Sequence, residues 1–126
     1  MLADFKVAGV QMVSGEDLEQ NLARAEYWVA QAAEQGAQLI ALPEYFTLLH
    51  HDERVKFEIA EVYGDGPIQQ RLSALARKLN IWLVAGSLPL KGQQDDHVTN
   101  TTLVFDSEGV CVARYDKIHL FSFQKG

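Results

Sequence analysis

The chain has 126 residues, 48 % hydrophobic and 22 % charged, with a net charge of −6 and one cysteine. That size and composition fit one globular domain, or part of one, able to bury a core. The acidic balance argues against nucleic acid as partner, no window reaches the ~18–20 apolar residues of a membrane span, and one cysteine excludes an internal disulfide framework.

The opening residues do not have the basic-then-apolar layout of a signal segment. A soluble protein of a reducing, cytoplasmic compartment is expected. In chain order, Phe5-Lys6-Val7-Ala8-Gly9-Val10-Gln11-Met12 reads as a first strand anchored by Val7 and Val10. Ser14-Gly15-Glu16-Asp17 breaks it, and Ser14 with Asp17 is a near relative of a capping box. From Asp17 to Gln35 the residues Leu18, Leu22, Ala25, Trp28, Val29, Ala32 and Ala33 recur at steps of three and four. That spacing predicts an amphipathic helix docked on a sheet, with Gly36 to end it.

Leu39-Ile40-Ala41-Leu42 predicts a short strand covered on both faces. Pro43 has no N–H for a ladder, so the strand should stop there and leave Glu44 at its carboxyl end. Strand, helix and strand with a short return make the unit of a parallel sheet. Residues 47–65 have a poor period and predict a loop with a short helix. In Gly64-Asp65-Gly66-Pro67, the proline suits a first helical turn and Asp65 its positive end. Ile68, Leu72, Leu75, Ala76 and Leu79 predict a second docked helix, ended by Asn80, and residues 81–87 a second buried strand. After the polar turn 91–96, residues 98–105 and 110–115 are β-rich and joined by Asp106-Ser107-Glu108-Gly109, which reads as a hairpin. The chain stops at Lys125-Gly126, just after the apolar-aromatic patch Ile118 to Phe123. An incomplete domain is expected from that ending.

Glu44 has two readings, a solvated loop carboxylate or a reactive group at the carboxyl end of a strand, where open α/β sheets present them. Tyr45 and Phe46 are candidate apolar walls that would desolvate it for general-base work, and candidate substrate contacts. Lys117, within Tyr115-Asp116-Lys117-Ile118-His119-Leu120-Phe121, either snorkels to the surface paired with Asp116 or stands beside Glu44. In the second case its ammonium would face an oxygen that turns negative during acyl transfer. Cys111 lies mid-strand between Val110 and Val112, a setting for a small hydrophobe rather than a nucleophile. His50-His51-Asp52-Glu53, with Asp95, Asp96, His97 and His119, lacks metal-ligand spacing, and a solvated polar loop is expected. Gly64, Gly66 and Gly86 do not compose a phosphate-binding loop.

Several segments in order resemble the nitrilase, or carbon–nitrogen hydrolase, superfamily. They are Val10-Gln11-Met12 with Asn21, Leu39 to Glu44, Gly64 to Pro67, Ile81 to Ser87, Asn100-Thr101 and Tyr115 to Phe121. The resemblance implies an α/β fold, an α-β-β-α sandwich that is here incomplete. Residues 1–126 would be the N-terminal part of a single carbon–nitrogen hydrolase domain. It further implies hydrolysis of a small amide or nitrile through a Glu-Lys-Cys triad, without cofactor or metal, in an enzyme that commonly forms homo-oligomers. Glu44 then resembles the general base and Lys117 the stabiliser of the tetrahedral intermediate. No cysteine matches the nucleophile, and Cys111 does not. Such a chain alone is expected to be inactive. The 115–121 block looks more like the amidase branches, including ω-amidase-like and deaminated-glutathione-amidase-like enzymes, although Ser122 stands where an acidic residue often follows. A carboxylate-bearing amide is the implied substrate. The competing class is a non-catalytic interaction module that pairs with another chain to complete its sandwich.

Overall fold

The computed structural model describes residues 4–92 and 97–117. The predicted patch Ile118 to Phe123, with His119, and the acidic pair Asp95 and Asp96 lie outside them. The order of elements is β1 (Val7–Gly9), α1 (Leu18–Glu34), β2 (Leu39–Ala41), α2 (Glu53–Ile59), α3 (Pro67–Leu79), β3 (Trp82–Lys91), β4 (Val98–Phe105) and β5 (Cys111–Asp116). The five strands form one sheet in sequential order. β1, β2 and β3 run parallel, and β4 and β5 follow as antiparallel neighbours. The sequence-predicted change from parallel units to a hairpin is therefore present.

Each helix is bounded by groups that satisfy its orphan ends. α1 starts at Asp17, whose carboxylate accepts from Gln20 N–H at 3.0 Å. The cap is thus Asp17 and not Ser14. At the other end Gly36 takes φ 96°, Gly36 N–H donates to the Ala33 carbonyl, and Ala37 N–H to the Ala32 carbonyl. This is the paired closure for which a residue without Cβ is favoured. α3 opens with Pro67 in its first turn, but its first N–H groups, which have no partner within the helix, meet Glu61 rather than Asp65: Ile68 N–H at 2.6 Å and Gln69 N–H at 3.1 Å. A carboxylate there also suits the positive end of the helix dipole.

α1 and α3 lie on one face of the sheet. Leu22, Ala25 and Val29 from the first, and Ile68, Leu72, Leu75 and Ala76 from the second, share a core with Ile40, Leu83, Ala85, Leu103 and Phe105. Strand alternation sends the intervening residues to the opposite face, where the rows Val7–Leu39–Trp82 and Gly9–Ala41–Val84–Val104–Ala113 run across the sheet. Among the described residues no helix covers that face. Three expectations are corrected by it. Val7 is 64 % exposed and is no anchor, while Ala8, Val10 and Met12 pack on the core. Among the described residues β2 and the first half of β3 are covered on one face only, with Leu39, Ala41 and Val84 half-buried and Trp82 exposed, whereas β3 is buried on both faces from Ser87 to Leu90. Trp28 is exposed beside the α1 stripe, edge-on to Tyr27.

β3 is also longer than predicted, running to Lys91 through Pro89. Its pairing with β4 jumps from Ala85–Leu103 to Leu88–Thr101, three steps against two. The strand therefore bulges at Gly86–Ser87.

Candidate active site

Strand direction decides where the candidate residues meet. β5 is antiparallel to β4, which is antiparallel to β3, so β5 runs the same way as β2. The carboxyl ends of β2 and β5 consequently fall on one edge of the sheet. Glu44 leaves β2 through Leu42 and Pro43, and Lys117 follows β5 directly. Lys117 N–H continues the ladder by donating to the Asn100 carbonyl at 2.9 Å. Across this edge Lys117 Nζ donates to Glu44 Oε1 at 3.5 Å, between residues 73 positions apart. The contact is long for a hydrogen bond. The Glu44 side chain is 57 % exposed and that of Lys117 39 %. A pair this open adds about 0–1 kcal/mol to stability, so it matters as a juxtaposition rather than as a brace.

Asp116 is not the partner of Lys117. Its carboxylate accepts from Arg114 Nε at 2.8 Å and from Arg114 Nη2 at 3.2 Å, and from the Thr101 hydroxyl at 2.9 Å. Chiefly through Arg114, and also through Thr101, the carboxyl is held below the usual Asp range against a smaller opposing effect of burial. The snorkelling reading, with Lys117 paired to Asp116, therefore fails, because Asp116 is already occupied.

The turn that carries Glu44 is built tightly. Leu42 N–H donates to the Val84 carbonyl at 2.8 Å, and Gly86 packs so closely that a Cβ there would collide with the Leu42 carbonyl oxygen. Tyr45 N–H donates to Ser87 Oγ at 2.9 Å. Lys56 of α2 holds its ammonium 4.9 Å from the centre of the Tyr45 ring. Tyr45 is half-buried and borders Glu44. Phe46 is fully buried in the core, where it has no surface for a ligand. The two aromatics do not close over Glu44, whose carboxylate stays open within the described chain.

A second tie links the loops that follow β1 and β2. Asn21, 1 % exposed, accepts Gly15 N–H and donates to the carbonyls of Gly15 and Thr47. The signal was available in the sequence: an asparagine three after Leu18 and four before Ala25 stands on the buried stripe of α1. Ser87 and Glu61 offered no comparable signal, since their partners are set by a bulge and by a loop.

His50 and His51, expected in a solvated polar loop, do lie in an irregular one, and within it they converge. Their rings stack at 4.7 Å and both reach Glu16 Oε2, at 3.3 and 3.0 Å. Neighbours in an irregular loop are not bound by the faces of a helix or strand. Glu16, His50 and His51 offer three ligand atoms within 4.8 Å. His50 Nδ1 accepts Asp52 N–H at 2.9 Å, so in the neutral ring Nε2 carries the hydrogen and turns it to Glu16. The arrangement is a hydrogen-bonded loop clip, not a set of lone pairs for a cation.

Cys111 opens β5, half-buried, with Tyr63 O–H 3.8 Å from its sulfur. Six strand steps separate it from Lys117, roughly 20 Å. It is not the thiol that Glu44 and Lys117 could serve.

Comparison with known proteins gives a consistent result. Residues 6–126 match the family model described as carbon–nitrogen hydrolase. The deaminated glutathione amidase of Yersinia enterocolitica is 39 % identical over 121 residues, covering 95 % of this chain and 42 % of that protein. The crystal structure of the Caenorhabditis elegans NitFhit protein superposes with a TM-score of 0.82 at 36 % identity, over 91 % of this chain and 28 % of that one. An amidase from Nesterenkonia sp. AN1, solved after Michael addition of acrylamide at its active-site cysteine, gives 0.78 at 27 % identity, over 94 % and 46 %. The chain thus spans less than half the length of each of these relatives, and shares their α/β fold over that part.

Proposed function

This chain belongs to the carbon–nitrogen hydrolase family, and we propose that the complete protein hydrolyses the amide of a small carboxylate-bearing substrate through Glu44, Lys117 and a cysteine outside these 126 residues. The observation that carries the proposal is the 3.5 Å approach of Lys117 to Glu44 at the carboxyl edge. The named amidase relatives, one with an active-site cysteine, support it. Tyr45, beside Glu44, is the described candidate for a substrate contact.

In this mechanism Glu44 takes the thiol proton and the thiolate attacks the amide carbon. The carbonyl oxygen becomes an oxyanion, which the Lys117 ammonium stabilises in a site made dry by the bound substrate. Collapse breaks the carbon–nitrogen bond, and Glu44 returns its proton to the departing ammonia. A water, deprotonated by Glu44, then attacks the thioester; the acid leaves and the thiol is restored. The chemistry needs a reduced thiol, which suits the cytoplasm. The open sheet face seats the other half of the sandwich, and an assembly of identical subunits is proposed from the family resemblance.

Ammonia release from succinamate by the complete protein tests the reading. Glu44→Gln should lower kcat by about 10³-fold or more, because triad members act as a unit. A Glu44→Gln protein as active as the parent would remove the base. The 126-residue chain alone should release no ammonia. Release that survives Cys111→Ser would overturn that half of the proposal.

A second reading is favoured by the exposed Val7, Trp82 and Tyr115 on the open face. A separate chain could cover that face in a non-catalytic complex. An intact-mass measurement of the native protein decides: a mass near 14.1 kDa supports the module, and a larger mass containing a strand-end cysteine supports the enzyme.

A further inference from the structure

Among the described residues two that are not glycine take positive φ: Tyr45 at 54° and Asn80 at 55°. Asparagine tolerates this conformation at a helix end, whereas a tyrosine is an uncommon occupant. Residues held so require a surround that over-determines them, and they gather where function needs a fixed geometry.

Here the surround can be named. The peptide plane between Glu44 and Tyr45 carries the N–H that donates to Ser87 Oγ at 2.9 Å. Turning that plane changes ψ of Glu44 and φ of Tyr45 together, so one acceptor restrains both. Ser87 is 3 % exposed and lies in the β3 bulge. The bulge is itself pinned, for the Thr102 hydroxyl donates to the Gly86 carbonyl at 3.1 Å. Gly86 in turn lies against Leu42, two residues before Glu44. The chain is therefore gripped on both sides of the carboxylate by the same irregularity of β3. A bulge next to a reactive group commonly serves to re-aim a side chain.

We propose that Ser87 is a positioning residue: its buried hydroxyl holds the Glu44–Tyr45 peptide in the left-handed turn and so aims the Glu44 carboxylate toward Lys117 and the reacting thiol. The proposal rests on the reading of Glu44 as the base. It adds the residue that orients that base, which lies 43 positions further along the chain and touches no reacting atom.

The test measures ammonia release from succinamate, or from propionamide if that is turned over faster, by the complete protein and its Ser87→Ala, Ser87→Cys and Glu44→Gln variants, with thermal unfolding alongside. Ser87→Ala is expected to lower kcat about 10- to 100-fold, the effect of a small misplacement, with KM held within about twofold. Ser87→Cys, with a weaker acceptor, should fall between the two. A Ser87→Ala protein that melts earlier but keeps the parental kcat per folded molecule would show a merely structural hydroxyl and overturn the proposal. If that variant does not fold, Ser87→Cys decides: a several-fold loss of kcat at constant KM supports positioning, and an unchanged kcat overturns it. An inactive Glu44→Gln beside an unaffected Ser87→Ala overturns the positioning role alone. A fully active Glu44→Gln overturns the base and the positioning role together.

Discussion

On the outer surface of the helices, Arg71 binds Glu19 and Glu26 through four hydrogen bonds of 2.7 to 3.0 Å, whereas at the sheet edge Lys117 and Glu44 share one contact of 3.5 Å. Both clusters join distant stretches of chain, and both are partly exposed. Their construction is opposite. The planar guanidinium matches two carboxylates in forked geometry, and each pair is short. The hydrogen bonds that Arg71 donates to Glu26 and then to Glu19 push the Arg71 pKa up, against a smaller effect of burial, and hold the Glu19 carboxyl below its usual range. Such a cluster has little capacity left for a new partner. At the edge, Glu44 and Lys117 have no other partner among the described residues. Their remaining lone pairs and hydrogens are available to a ligand. Saturation marks a brace between helices, and incompleteness leaves the Glu44–Lys117 pair open to a ligand, as the proposed mechanism requires.

Replacing the cation in each cluster separates the two most sharply. In the complete protein Lys117→Met should lower kcat for ammonia release by about 10²- to 10³-fold, the effect of removing one donor to an oxyanion. It should leave stability within about 0.5 kcal/mol. A large loss of stability with normal turnover would reverse the assignment.

The next effect tests how firmly the reactive edge is held. Gly86→Ala puts a methyl group against the Leu42 carbonyl oxygen, where no flexible side chain can yield. The backbone must move, and a loss of about 3 kcal/mol is expected in urea unfolding. An unchanged midpoint would mean that β2 and β3 are not locked here, and that Glu44 is aimed by something else. Arg71→Met comes third. It should cost about 1 kcal/mol, since partly exposed ion pairs contribute little even in a network, and ammonia release should not change. Lost activity there would show that the helix brace and the edge are coupled.

The contrast also explains what was legible in the sequence. Elements set by local spacing were readable: α3 from Ile68, Leu72, Leu75 and Ala76, the α1 stop at Gly36, and β4 from Val98 to Phe105. Glu44 could be placed at a strand end because Pro43 closes the ladder. The errors lie where the outcome depends on a partner far along the chain. Val7 and Trp28 looked apolar enough to be buried, but among the described residues the sheet face around Val7 is left uncovered and Trp28 lies beside the covered stripe of α1. The apolar run of β3 predicts an end at Ser87, yet the strand continues to Lys91 beyond a bulge that no period announces. The cap from Glu61 and the grip of Ser87 on Tyr45 are contacts between loops, and spacing carries no trace of them. Asp116 seemed the natural partner of Lys117 by adjacency. Successive residues leave a strand on opposite sides, so Asp116 meets Arg114, two positions away on its own face, and Lys117 is released to Glu44.

That last division gives the smallest and most diagnostic effect. Asp116 has its pKa depressed mainly by Arg114. A carboxylate depressed in the folded state contributes stability that is fully present above its unfolded value, about 3.9, and is lost as pH falls through the lower folded value. The contribution should therefore be constant at neutral pH and vanish only in acid, below about pH 4. Urea midpoints of the parent and Asp116→Asn at pH 6.5 and pH 3 should show a gap that narrows in acid. Ammonia release at neutral pH should be the same for both proteins, because Asp116 belongs with Arg71 among the saturated groups. A gap that stays constant would remove the carboxylate charge as its source. Lost turnover in Asp116→Asn would carry more weight, since it would make Asp116 a third member of the reactive edge and dissolve the boundary between brace and site at the residue where the two are closest.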